Sequence, residues 1–242
     1  MPAAAVTRTK DELESLLRLR KLDHTLSVFP AAEEPGASDA WAMPTGMAEL
    51  DARLRGGIPR GQLSEFVGPR SSGRLAMVLS AMAQATTRGE AVALVDPLDM
   101  FDPVSAGASG VDFSRMLWVR GEATISSRVG LSCEYGTLQK SVDRGVKALN
   151  LIVQAGGFGL VVLDLAEVAP HVLRRLPFTT WLRLHRVIEG SETACVLIGS
   201  QPIARSAGGV TVQLGLGKAR VIQKRQAMET TDVCVPVSAA AC

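Results

Sequence analysis

The sequence predicts an α/β domain in which a largely parallel, twisted sheet carries helices on both faces. Three observations predict it. Five short apolar segments, Gln62–Val67, 91–95, 116–119, Leu160–Asp164 and Ala194–Gly199, have the length and composition of buried strands. Helical segments lie between them. Arg74–Thr87 is rich in Ala, Leu and Met, and in residues 137–155 Leu138, Val142, Val146, Leu149 and Val153 recur every three or four positions. The first strand passes into its helix through a loop bounded by Gly68 and Gly73. Strands alternating with helices favour a parallel sheet covered on both sides.

The 242 residues, 47% hydrophobic and 21% charged, suit one globular domain with a sizeable core and short extensions. The expected division is 1–44 as N-terminal helix and linker, 45–225 as core and 226–242 as tail. A net charge of +2 and a pI near 8.4 do not by themselves indicate nucleic-acid binding, so any such contact must come from local clusters. Cys133, Cys195, Cys234 and Cys242 are widely spread without a C-x-x-C pair, which suggests neither a disulfide framework nor a zinc site and fits a reducing cytosol. The N-terminus has no signal-peptide core and no apolar run reaches 18 residues, so the expected location is the cytoplasm, with no membrane partner.

Taken in order, residues 1–8 read as an irregular end. Thr9 with Glu12 three residues on forms a capping box, and Leu13, Leu16, Leu17, Leu19 and Leu22 give the following helix an apolar stripe among Arg18, Arg20 and Lys21. That stripe either packs on its own domain or docks on a partner, with Leu13, Leu16 and Leu17 as the contact. A polar stretch, 30–39, separates it from the core.

The loop Gly68-Pro69-Arg70-Ser71-Ser72-Gly73-Arg74-Leu75 nearly matches the phosphate-binding pattern G-x-x-x-x-G-K-[ST]. In that pattern backbone N–H groups and a helix N-terminus converge on phosphate oxygens. Arg74 stands where the pattern has lysine: the positive charge is kept, but as a broad planar fork. Leu75 stands where a hydroxyl would coordinate Mg²⁺, and a methyl group cannot. Two readings stand: a retained strand-to-helix connection without a ligand, or residual nucleotide or anion binding at Gly68, Gly73 and Arg74.

Beyond the loop, 91–95 is a buried strand ending in an acidic segment from Asp96 to Asp102-Pro103, followed by a turn at 110–112 and the strand at 116–119. Residues 121–136 read as a loop, and Gly156-Gly157 ends the long helix. Residues 169–190 read as partly helical, broken near Pro177, with His171, Arg174, Arg175, Arg183, His185 and Arg186. The histidines show no metal-ligand spacing and are read as structural. Residues 210–214 and 219–223 form a terminal hairpin with Lys218, Arg220, Lys224 and Arg225 around it, and a last short strand is expected at 233–237.

The lead-in Thr45-Gly46-Met47-Ala48-Glu49-Leu50-Asp51, the turn Gly56-Gly57-Ile58-Pro59-Arg60-Gly61, and the loop Gly68–Gly73 in register behind them resemble the RecA family, a resemblance that continues to about Arg225. It implies a three-layer sandwich with a degenerate phosphate loop. It also implies that Leu98 occupies the position of the catalytic glutamate, while Asp99 next to it points elsewhere. Asp164 matches the aspartate that helps hold a Mg²⁺ shell, although an aspartate at a strand end also caps the next turn. Gln201 matches the glutamine that senses the γ-phosphate and leads into a DNA-facing loop. Arg174, Arg175, Arg205, Lys218, Arg220, Lys224 and Arg225 would then lie near DNA, giving salt-dependent, sequence-independent contacts; the alternative is a solvated face.

Loss of the lysine, the hydroxyl and the glutamate together is similar to the ImuA family of RecA-like accessory proteins. That resemblance implies a non-enzymatic protein without catalytic residues, metal or cofactor, acting in SOS-induced translesion synthesis. Its implied partners are a Y-family-like polymerase subunit of the ImuB type and an error-prone replicative polymerase, with RecA and single-stranded DNA as further partners. The alternatives are a DNA-dependent ATPase or recombinase and a division regulator of the SulA type.

Overall fold

The computed structural model describes residues 41–122, 135–204, 209–215, 218–223 and 231–233. A two-stranded antiparallel ribbon, β1 (Ala42–Met43) with β2 (Ile58–Pro59), encloses helix α1 (Ala48–Arg53). The Thr45–Asp51 lead-in closes on itself: Asp51 Oδ1 accepts from the Thr45 N–H at 2.8 Å and from its hydroxyl at 2.7 Å. The motif is therefore a turn closed by Asp51 that leads into α1, a helix absent from the sequence expectation.

The main sheet has eight strands in the order β10-β9-β8-β3-β7-β6-β4-β5. These are β3 (Gln62–Val67), β4 (Val92–Asp96), β5 (Met116–Arg120), β6 (Leu160–Asp164), β7 (Ala194–Gly199), β8 (Val210–Gly215), β9 (Lys218–Gln223) and β10 (Thr231–Val233). Six of them, from β8 to β5, are mutually parallel, and β9 and β10 continue the sheet antiparallel. All five expected strands are present, and the expected hairpin is β8–β9. The last strand begins two residues earlier than expected, and 234–237 lie outside the described residues.

Between strands run α2 (Arg74–Thr87), α3 (Pro103–Ala108), a 3-10 turn at Phe113–Arg115, α4 (Tyr135–Ala155), α5 (Pro170–Leu173) and α6 (Phe178–Ile188). The break between α5 and α6 falls at Pro177, whose ring cannot continue a helix. The sheet's two faces bury separate cores because side chains alternate along each strand. Val92, Leu94, Leu160, Val162, Val196 and Ile198 meet α2, while Ala93, Val95, Val161, Leu163, Cys195 and Leu197 meet α4 and α6. Strands covered on both faces are apolar nearly throughout, which is why β4, β6 and β7 read as continuous runs. Residues 1–40, with the leucine-stripe helix, and 123–134, within the expected loop, lie outside the described residues.

Candidate phosphate-loop site

The glycine loop leaves the C-terminal end of β3, at the crevice where strand ends converge in open α/β sheets. Gly68 is required by space: a Cβ there would lie 2.5 Å from the Leu214 carbonyl oxygen and 2.5 Å from Ser72 Oγ. Its N–H donates to the Gly199 carbonyl at 3.1 Å, so the loop is sewn to the end of β7. Gly73 takes φ +86°, in the left-handed region, and α2 starts there without a side-chain cap or an acidic residue in its first turn.

Arg74 does not reach outward. It is 6% exposed, and its guanidinium is turned into the loop. Nη1 donates to the Gly68 carbonyl and, at 3.5 Å, to that of Gly199; Nη2 donates to the Ala166 carbonyl at 3.3 Å and to Glu167 Oε1 at 2.9 Å. One side chain thus ties the ends of β3, β6 and β7. The other carboxylate oxygen of Glu167 pairs with Arg70 at 3.0 Å. Leu75, at 39% exposure, presents carbon where the pattern has a hydroxyl. The residues present do not offer the donor set of a Mg²⁺–phosphate site: the cation is already bonded, and the hydroxyl ligand is missing.

The acidic positions are also engaged within the chain. Asp164, half-buried, accepts from the Ala166 N–H at 2.8 Å. Burial pushes its carboxyl up to about 6, with the Asp96 carboxylate adding to the rise. Asp96 accepts from the Met100 and Phe101 N–H groups at 3.0 and 2.9 Å and so caps the turn after β4. Leu98 packs against the α4 and α6 core. Asp99 is gripped by both arms of Arg120 at 2.8 and 3.0 Å, on edge strand β5. Strands β7, β6 and β4 lie between Arg120 on β5 and the strand that leads into the loop, so the Asp99–Arg120 pair is set apart from the loop across the sheet. Among the described residues, no three His, Cys, Asp or Glu side chains gather as a metal site would need.

Gln201, exposed after β7, shares with Arg174 a cavity of about 470 Å³ whose walls include Phe178, Trp181 and Ile203. Arg175 is exposed beside it. The stretch 170–188 carries Arg174, Arg175, Arg183 and Arg186 and no acidic residue. Lys218 lies opposite Gly215 at the hairpin turn, and Arg220 lies opposite Gln213. Arg205, Lys224 and Arg225, and the partner-contact residues Leu13, Leu16 and Leu17, lie outside the described residues. No helix among the described residues is long and apolar enough to cross a membrane.

The profile of the RecA N-terminal domain matches residues 26–171, more than half of the chain and spanning the loop and both acidic strand ends. The chain belongs to that family. Protein RecA of Ruminococcus albus is 32% identical over 166 residues, covering 67% of this chain and 40% of its own length. Protein RecA of Symbiobacterium thermophilum is 38% identical over 92 residues, 38% of this chain and 26% of its own. That of Chlorobaculum parvum is 30% identical over 139 residues, 57% and 35% respectively. The chain therefore spans 40% or less of the length of these relatives.

Two residues of this RecA-family chain escaped the sequence reading. Glu65, 1% exposed in the middle of β3, accepts from the Ile203 and Ala204 N–H groups at 2.6 and 2.8 Å. It anchors the segment after Gln201, and a lone carboxylate inside an apolar strand was a visible signal for it. Glu167 carries no such signal, because its partners lie more than 90 residues away in sequence.

Proposed function

We propose that this RecA-family chain is a non-catalytic accessory protein of SOS-induced, error-prone translesion synthesis, acting through contacts with polymerase subunits. The observation that carries the reading is the state of Arg74: the loop's cation is held by three backbone carbonyls and Glu167. Leu75 in place of the hydroxyl and Leu98 in place of the glutamate support the same conclusion. Each position could be repaired alone. Their joint loss in an intact scaffold favours a protein that keeps the RecA shape without its ATP cycle, with neither Mg²⁺ nor nucleotide as a cofactor and the cytoplasm as its location. The expected partners are a polymerase subunit of the ImuB type and an error-prone replicative polymerase, reached through the Leu13, Leu16 and Leu17 stripe or the C-terminal region. The acid-free stretch 170–188 beside Gln201 supports a contact with single-stranded DNA, whose phosphates would meet Arg174 and Arg175.

ATP binding and hydrolysis by the purified chain, with and without single-stranded DNA and Mg²⁺, test the first half. Silence in every condition is expected. DNA-stimulated hydrolysis that disappears in Arg74→Ala would overturn it. Capture of the purified polymerase subunit by the tagged chain, weakened by Leu16→Glu with Leu17→Glu, tests the second half; capture of a cell-division protein instead would refute it.

A further inference from the structure

We propose that the groove between helices α4 and α6 is a docking site for an acidic amphipathic helix of a partner protein. The inference does not depend on the accessory role, and none of the groove's residues belongs to the Leu13, Leu16 and Leu17 stripe or to the C-terminal region. Helices α4 and α6 cover the same face of the sheet, where Val142, Leu149, Trp181 and Ile188 join its core. Between the two helices runs a surface groove of about 560 Å³. Val146, Leu176 and Leu184 form its floor and are buried, at 7%, 9% and 1% exposure. Leu151 stands at its rim and is 65% exposed. Single exposed apolar residues are ordinary on a protein surface, but an exposed leucine continuous with an apolar groove marks a place where another surface fits.

The charges at the rim decide the occupant. Lys147 comes from α4 and Arg183 from α6, so each wall carries a cation. Both are exposed, and neither has an ion-pair partner among the described residues. Asp143, the carboxylate in the lining, accepts from Gln139 Nε2 at 3.0 Å along its own helix and pairs with neither cation. An apolar floor between two unpaired cations suits a helix whose apolar residues at i and i+3 or i+4 enter the groove while Asp or Glu beside them meet Lys147 and Arg183. From Asp143 to Leu151 the α4 wall is about 12 Å long, a little over two helical turns, so the contact takes about two or three apolar anchors. A nucleic-acid strand fits less well, because the lining holds no aromatic ring on which a base could stack. Arg183 also lies on the flank of α6 away from the Gln201 cavity, which Trp181 lines.

A displayed library of randomised helix-forming peptides, each about four turns long so that the helix can hold in water, tests the proposal when selected on the full chain. Enriched peptides are then synthesised and titrated by fluorescence anisotropy. They are expected to carry Asp or Glu beside apolar residues spaced i and i+3 or i+4. Leu151→Glu, at an exposed position that the fold does not need, is expected to weaken them about tenfold or more. Lys147→Glu with Arg183→Glu is expected to weaken them about threefold or more, and the same peptides with Lys in place of their acids are expected to recover that loss. Should Leu151→Glu fail to fold, Thr180→Arg, which fills the groove from the α6 wall, must weaken the same peptides. A selection that yields no binder, binders rich in Lys or Arg, or binders untouched by either groove variant would each overturn the proposal. So would single-stranded DNA binding that is lost in Lys147→Glu with Arg183→Glu while no peptide binds, which would assign the groove to nucleic acid. A self-associated wild type that Leu151→Glu makes monomeric would place a second copy in the groove and refute it equally.

Discussion

At position 74 the difference between lysine and arginine is one of geometry. A single ammonium could not reach the Gly68 and Ala166 carbonyls and Glu167 together, whereas the planar fork of Arg74 does so with two terminal nitrogens. Ten positions before Arg74, β3 is still a buried strand; ninety positions after it, Asp164 shares the same crevice and is the group that responds to pH. Burial, helped by Asp96, pushes its carboxyl from 3.8 up to about 6. The folded state therefore holds the proton more tightly than the unfolded chain. Stability from this group is full below 3.8 and is lost as pH rises through about 6. Asp164→Asn, which can still accept from the Ala166 N–H, is expected to be more stable than the wild type at pH 7.5 by about 1–3 kcal/mol, with the gap closing near pH 4. Urea unfolding at the two pH values checks this, and an equal gap at both would contradict it.

Strand β3 is the element on which the site hangs. It pairs with β7 on one side and β8 on the other, ends in the glycine loop, and through Glu65 also holds the segment that follows β7. Thr211 Oγ1 of β8 donates to the second Glu65 oxygen at 3.4 Å, so one carboxylate joins three consecutive pieces of the crevice wall. Glu65→Ala would strand the N–H groups of Ile203 and Ala204. A buried donor left unpaired costs about 1–3 kcal/mol. The expected outcome is a loss of stability in that range together with faster proteolytic cleavage after Gly199, while Glu65→Gln, which keeps one acceptor, is milder. Unchanged cleavage of Glu65→Ala would show that the segment is held by other contacts.

The assembled sheet is fastened at both ends by arginines, and the two ends differ in burial. At the C-terminal end Arg74 joins β3, β6 and β7. At the opposite end Arg60 grips both oxygens of Glu90 at 2.9 Å and donates to the Glu192 carbonyl at 2.7 Å and the Gly159 carbonyl at 3.4 Å, joining the entrances of β3, β4, β6 and β7. Its side chain is almost wholly buried, whereas the Arg144–Glu122 pair near β5 is exposed on both sides. Removing Arg60 leaves the part-buried Glu90 with Arg88 alone, at 3.3 Å, and strands the Glu192 and Gly159 carbonyls, whereas breaking an exposed pair exchanges it for water. Arg60→Ala is expected to lower unfolding free energy by about 2–4 kcal/mol, and Arg144→Ala by less than about 1 kcal/mol. Thermal unfolding of the two variants measures the difference, and equal losses would refute the ranking.

The amino-acid sequence by itself determined the layers of this protein. Apolar runs such as Leu160–Asp164 and Ala194–Gly199 are legible because a strand buried on both faces leaves little room for polar residues. Helix α2 and the glycine loop are legible because Gly73 answers a local demand of backbone angle and Gly68 keeps clear of Ser72 within the loop, although the Leu214 carbonyl that also excludes a side chain at Gly68 comes from β8. The lost hydroxyl at Leu75 needs no fold to be seen. What Arg74, Glu65, Asp99 and Glu167 do with their charges was decided only by the tertiary structure. Their partners come from other strands, and strand order β3-β7-β6-β4-β5 departs from chain order. Periodicity reports which face a residue takes, whereas an ion pair or a carbonyl clamp depends on which distant segments the sheet brings side by side.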